Sequence, residues 1–387
     1  MRRVLVVLAL ALAAAAGPAA APADAAKRSV PRGFYGAIYA GTVERAPNEV
    51  QGRVWDRLAA AGVESARVVL SWSSAQPTRG GPIDWGRMDR LVESAAVRRI
   101  SLMPTLISPP AWAKLYPDVL QSPPARASDY AAFLAEAVRR YGAGGTFWSE
   151  RPEVGRSPVR YWQVWNEPEL TDAWWREDRP WLPSEAKRYG ALVRASRRAA
   201  RKVDPGARIV LGGLTNFAWE TLAGLYRHAG IRGHFDVAAV HMFPGNWRST
   251  ETIVRRFRST LDRNGDRKKP IWVTEMTWPA AEGRAEVPSW ANTPYYRNFV
   301  TTDRGAASRL SNAYALLSRR RFRQAMRLER VHWYLATSPF SGNVIWDYSG
   351  LMQLDGSSIV QKPAYSAYRA SAKSRQGCKK DARGRCR

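Results

Sequence analysis

Apolar and polar positions along this chain fall into two alternating rhythms. Short runs with period-two or continuous apolar character suit buried strands. Longer stretches with apolar residues three and four apart suit helices packed by one face. Strands are expected at Phe34–Ala40, Ser65–Trp72, Ile100–Ser108, Val159–Asn166, Arg208–Leu214, Phe235–Phe243, Pro270–Glu275 and Val331–Thr337. Between them, helices are expected at Asn48–Ala61, Trp85–Arg98, Asp129–Tyr141, Ser184–Lys202, Thr221–His228, Ser249–Asn264 and Arg304–Met326, with a last one near Pro363–Ser371. Gly62, Gly142, Gly206 and Gly265 follow helix ends, where a left-handed residue is wanted. Eightfold alternation of strand and helix predicts an α/β protein: one (β/α)8 TIM barrel over residues 26–371. An open doubly wound sheet is the alternative. It loses its main support because no G-x-G-x-x-G follows the first strand, and no Walker A sequence occurs.

The two ends of the chain read differently from the middle. Met1-Arg2-Arg3, the apolar run Val4–Ala16 and the exit Ala23-Asp24-Ala25 have the form of a secretory signal peptide over residues 1–25. That run is too short to span a bilayer, and no later stretch is apolar enough. The expected product is secreted, extracellular or wall-associated, with no membrane span. In the basic tail 372–387, Cys378 and Cys386 are the only cysteines, and export favours a disulfide between them.

Charge and histidine content narrow the chemistry further. Sixty Lys and Arg stand against 33 Asp and Glu, a formal +27, and the leader carries little of it. The basic runs Arg194–Lys202, Arg255–Arg258 and Arg319–Arg330 fall on or beside expected outer helices, and a fourth fills the tail from Lys373 to Arg387. No nucleic-acid reading motif accompanies them, so nucleic acid is not an expected partner. Two readings remain: a solvated outer face, or electrostatic contact with an anionic cell wall. With four His and no i, i+4 pair, neither a metal nor another cofactor is expected.

Barrels of this kind carry their chemistry at the carboxyl ends of the strands. The fourth strand ends in Trp165-Asn166-Glu167-Pro168, and the seventh in Val273-Thr274-Glu275-Met276. Each puts a Glu where an apolar strand runs out. Either Glu could simply meet solvent or pair with an Arg. Together they suit cleavage of a glycosidic bond, one protonated as general acid and the other ionised to attack or to activate water. Proximity helps to separate their pKa values, since one negative charge hinders ionisation of the other.

Trp165-Asn166-Glu167-Pro168 resembles the strand-four motif of the clan A glycoside hydrolases, retaining enzymes on a (β/α)8 barrel. The following Glu169-Leu170, the pair Trp174-Trp175 and Ser108-Pro109-Pro110-Ala111-Trp112 make family 39 the nearest in motif, with a family 5 cellulase-like enzyme as runner-up. The resemblance implies that Glu167 is the general acid/base and Glu275 the nucleophile, about 5–5.5 Å apart. It implies that Asn166 holds the sugar 2-hydroxyl, that Arg67 steadies the nucleophile and that His241 matches a strand-six His of the clan. Trp333 is the expected counterpart of the strand-eight Trp under the sugar, with Trp346 as its rival. A β-linkage is likewise implied by the clan. Two departures stand out: Phe243 replaces the usual strand-six Tyr, and strand three reads Met103-Pro104-Thr105 where family 5 has a His. Tyr35, Tyr39 and Tyr334 are the candidates to replace the lost hydroxyl.

Trp112, Trp174, Trp175, Trp181, Trp247, Trp278 and Trp290 sit in segments that follow strand ends. An indole face suits the apolar face of a pyranose, though any one Trp can equally fill core. The expected activity is hydrolysis of oligo- or polysaccharides by double displacement. The alternative is a degenerate barrel that binds carbohydrate or the cell wall without turnover.

Overall fold

The computed structural model describes residues 27–170, 183–215, 217–339 and 341–377. The signal segment 1–25, Trp174, Trp175, Trp181 and the Cys378/Cys386 pair lie outside the described residues.

Nine parallel strands follow the order expected of a barrel. They are β1 Tyr35–Tyr39, β2 Ser65–Ser71, β3 Ser101–Ile107, β4 Tyr161–Val164, β5 Arg208–Val210, β6 Leu214–Thr215, β7 Ala238–Met242, β8 Ile271–Met276 and β9 Leu328–Trp333. Neighbours in the sheet run β5-β4-β3-β2-β1-β9-β8-β7-β6. β5 and β6 are two pieces of one barrel strand, parted at residues 211–213. A parallel bridge from Val210 to Val237 closes the circle, helped by the Leu211 N–H donated to the Val237 carbonyl at 3.1 Å. The eight expected strands are all found, the fifth in two parts. The eighth starts at Leu328, three residues earlier than expected, because Leu328 is itself fully buried.

The break in strand five has a local cause. A Cβ on Gly212 would lie 2.7 Å from the Val164 carbonyl oxygen, and one on Gly213 would fall within the His241 ring. Two glycines therefore let the end of strand four and a strand-six histidine close in.

Outer helices bury one stripe each. Asn48–Ala60 turns Val50, Val54, Trp55 and Leu58 to the sheet, each burial stabilising by about 1.5–3 kcal/mol. The expected helix Arg304–Met326 is instead two, Asp303–Leu317 and Arg320–Met326, broken at Ser318-Arg319. The last helix, Pro363–Gln376, carries a buried Ala372, so the barrel domain runs past the expected boundary at residue 371. Gly62 and Gly265 take left-handed backbone; Gly142 does not, and is needed because a Cβ there would lie 2.5 Å from the Val138 carbonyl. Gly206 also lacks positive φ. A small unexpected sheet of β10 Thr337–Pro339, β11 Met352–Asp355 and β12 Ser358–Gln361 follows the eighth strand. No helix among the described residues is long and apolar enough to cross a membrane.

Inside the barrel, Met103, Val210, Val237, Ala239 and Trp272 form a cluster of their own, with Tyr161 packed against it. Tyr161 and Trp272 touch at a centroid distance of 4.5 Å although β4 and β8 are not neighbours, so they meet across the lumen. The Arg330 guanidinium lies 4.0 Å from the Trp272 ring centroid and 4.8 Å from that of Tyr161. Arg330 was expected on the outside with the rest of its basic run; it is 8% exposed and fills the floor of the barrel.

Candidate active site

Strand alternation decides which side chains reach the upper lumen. On β9, Arg330 and His332 point inward, and Trp333 points outward to Trp278, with its indole N–H donated to the Ser349 carbonyl at 2.9 Å. Trp333 is 1% exposed and cannot lie under a sugar. The next inward residue is Tyr334, whose hydroxyl feels the charges of Glu275 and Glu167. The rival Trp346 packs edge-on to Tyr334 at 5.8 Å and to Phe243 at 5.0 Å, so the aromatic wall beside the pair is Tyr334 and Trp346.

Strict alternation on β8 would turn Glu275 away from the lumen, because Trp272 faces in. The pairing with β7 slips by one: Val240 opposes Val273, but His241 opposes Glu275. Thr274 is the extra residue, and this bulge turns Glu275 inward. Re-aiming a functional side chain is a known use of bulges.

Arg67 ties the site together from β2. It is 5% exposed and donates to Glu275 Oε1 at 2.6 Å, to Gln163 Oε1 at 2.6 Å and to Asn166 Oδ1 at 2.5 Å. Gln163 is fixed in turn by the Thr105 hydroxyl at 2.7 Å and by its own donation to the Leu211 carbonyl at 2.9 Å. Arg67, Asn166 and Glu275 thus meet as expected. Gln163 and Thr105 were missed, although both are polar residues in otherwise apolar strands.

The turn after β4 is strained. Trp165 has φ 68° and Glu167 φ 41°, left-handed values that cost about 1–3 kcal/mol each for residues with a Cβ. Two buried tyrosines hold it: Tyr130 Oη accepts the Trp165 N–H at 3.1 Å, and Tyr189 donates to the Val164 carbonyl at 3.0 Å.

Glu167 and Glu275 then face one another with His241. One oxygen from each carboxyl and a nitrogen of His241 lie within 4.8 Å of one another. His241 Nδ1 is 2.6 Å from Glu167 Oε1 and 3.7 Å from Glu275 Oε2. Burial pushes Glu167 up to about 7, against the pull of Arg67 and Asn166, and its side chain keeps 21% of its surface open. Glu275 is also pushed up by burial, with the Glu167 charge adding and Arg67 opposing. His241 is driven down to about 3 by burial, so its ring is neutral. His241 Nε2 is buried without a partner. An unpaired lone pair costs less than an unpaired N–H, which favours the tautomer with the proton on Nδ1. That N–H occupies Glu167 Oε1 and leaves Oε2 to carry a transferable proton.

The same three residues could bracket a divalent cation, but the Arg67 guanidinium competes for Glu275 at 2.6 Å. Tyr35 and Tyr39 do not replace the hydroxyl lost at Phe243, since their own hydroxyls bond to Ser371 and Gln51. Tyr334 stands near the pair, yet makes no hydrogen bond to Glu275 among the described residues. Trp112 is engaged elsewhere, edge-on to Trp72 at 5.2 Å and with Arg79 4.9 Å from its ring centroid.

Glu169 is the acidic residue whose environment sequence reasoning overlooked. It is 7% exposed, and one oxygen accepts the Thr215 N–H at 2.6 Å while the other has no partner. Burial is the main cause that pushes it up to about 8.

Fold and site together define a (β/α)8 barrel with a carboxyl pair at the carboxyl ends of strands four and seven. The solved structures most like it in fold include glycoside hydrolases of clan A. A family 39 glycoside hydrolase from Bacteroides cellulosilyticus WH2 superposes with a TM-score of 0.61 at 19% identity over 89% of this chain. This chain spans 64% of that protein's length, under two thirds of it. A family 39 β-xylosidase from Caulobacter crescentus gives 0.55 at 17% identity, covering 90% of this chain and 73% of its own. A family 5 enzyme from Streptomyces cattleya, solved with GlcNAc, gives 0.57 at 17%, covering 89% and 80%. No protein-family model and no curated protein sequence matches the chain.

Proposed function

We propose that this protein is a retaining glycosidase. The observation that carries the reading is the approach of the two carboxyls to within 4.8 Å. Retaining enzymes hold their carboxyls about 5–5.5 Å apart, whereas inverting ones leave about 6.5–9.5 Å for a water. Glu167, holding its proton up to about pH 7, donates it from Oε2 to the glycosidic oxygen as the C–O bond breaks. Glu275 attacks the anomeric carbon and forms a glycosyl ester. Glu167, now ionised, takes a proton from water; the water oxygen bonds to the anomeric carbon and Glu275 leaves. Arg67 keeps Glu275 oriented and favours its ionised form. Asn166, turned by Arg67, offers its amide N–H to the cleft, which suits a bond to the sugar 2-hydroxyl.

The finer reading is a secreted enzyme acting on β-linked oligo- or polysaccharides, supported by the leader-like segment and by the clan resemblance of the Glu motifs. Contact with an anionic wall through the basic outer helices belongs with it. The competing reading, a sugar-binding barrel without turnover, draws on Phe243, which offers Glu275 no hydroxyl. A mechanism-based 2-fluoro glycoside decides between them. It should label Glu275 covalently in the native protein and not in Glu275→Ala. Binding of glycans with neither labelling nor turnover would reject the enzyme.

A further inference from the structure

The aromatic wall beside the carboxyl pair does not stop at Trp346. From Tyr334 a line of rings runs through Trp346, Trp290, Tyr296 and Tyr295 to Phe217, with successive centroids 4.8–6.0 Å apart. These side chains come from three separate segments: after strand eight, after strand seven, and after β6, the second part of strand five. All of these segments leave the carboxyl end of the barrel. Trp290 and Trp346 lie nearly parallel, 18° between planes. The far members reach solvent, Trp290 at 39% and Phe217 at 48% exposure. Exposed large aromatics are costly unless they serve contact, and a run continuous with a site marks a ligand path.

We infer that this ladder is an extended binding track for a chain of neutral pyranoses, so that the substrate is an oligo- or polysaccharide longer than the residue held at Glu167 and Glu275. The choice of ligand rests on the glycosidase reading; the ladder is a separate geometric fact. Indole and phenyl faces take the apolar faces of sugar rings, and their spacing is set by rings in contact rather than by charged groups. A single terminal sugar would leave the rings from Trp290 to Phe217 without a use.

The test measures binding by calorimetry on the Glu275→Ala protein, with β-1,4-linked glucose and xylose oligomers from monosaccharide to hexasaccharide. Affinity should climb with length. The hexasaccharide-to-monosaccharide affinity ratio should fall about tenfold in the Trp290→Ala double variant, the loss of one stacked ring. Phe217→Ala should lower affinity only for the longest oligomers, and as a surface substitution it guards against loss of fold at Trp290. Affinity independent of length, or a ratio unchanged by both substitutions, overturns the track. Length-dependent binding in a native protein that cleaves nothing would remove the glycosidase reading and leave the track standing. Cleavage at a rate indifferent to length would do the reverse.

Discussion

Glu169 sets burial directly against charge, and the conflict can be measured. In an unfolded chain a Glu titrates near about 4.3, whereas in the folded protein burial holds this one up to about 8. Between those values the folded state keeps a proton that the unfolded state has released. The unfolding free energy therefore falls as pH rises through the window, and the penalty is absent below it. Inside the window each pH unit costs about 1.4 kcal/mol, so the whole penalty is on the order of several kcal/mol. Glu169→Gln removes the titration while its amide oxygen can still accept the Thr215 N–H. The new amide N–H2 is unpaired, at about 1–3 kcal/mol, much as the carboxylic O–H was. Slope, not intercept, is thus the diagnostic quantity. Urea unfolding of both proteins at about pH 5, 6, 7 and 8 should show the variant gaining on the native chain by about 1.4 kcal/mol per unit. A gap that stays constant across that range would refute the assignment of a buried, late-titrating carboxyl.

Three further outcomes follow from the site geometry. Glu167→Gln should cost about 10²–10⁴-fold in kcat/KM on glycosides with poor leaving groups. It should also abolish the decline in rate as pH rises through about 7, where native Glu167 loses its proton; a pH–rate profile checks both. Arg67→Lys keeps a charge but cannot make all three bonds to Glu275, Asn166 and Gln163. Thermal melting should show a loss of about 1–3 kcal/mol, and the acid limb of kcat/KM should move to higher pH as Glu275 loses its partner. Gly213→Ala puts a methyl where the His241 ring lies, so circular dichroism should report a retained fold while kcat falls. A crystal structure of that variant should find His241 displaced from Glu167.

Much of this architecture was legible because strand ends and helix stripes are written in local periodicity. Glu167 and Glu275 stood out as acids closing apolar runs, and Arg67, Asn166 and His241 gather about them. What escaped depended on parity and on neighbours in space. Trp333 looked like the sugar platform by residue type, yet the inward polar His332 already implied that Trp333 faces out and Tyr334 in. The bulge at Thr274 has no sequence signature at all: it exists because β7 and β8 slip by one residue beside the site. Glu169 carried a signal, a carboxylate between Pro168 and Leu170, but it was absorbed into the motif around it. The split of strand five needed Gly212 and Gly213 to be seen against Val164 and His241, partners remote in the chain.

Arg330, Tyr161 and Trp272 give the barrel a sealed floor, so the catalytic chamber has one door. Everything the reaction exchanges must pass through it in turn. The departing portion of a glycan has to clear the mouth before a water can take its place over the glycosyl ester. While it lingers, its own hydroxyls are the nearest nucleophiles. Traffic through a single opening, rather than the bond-breaking groups alone, then governs how the ester partitions between hydrolysis and transfer back to sugar.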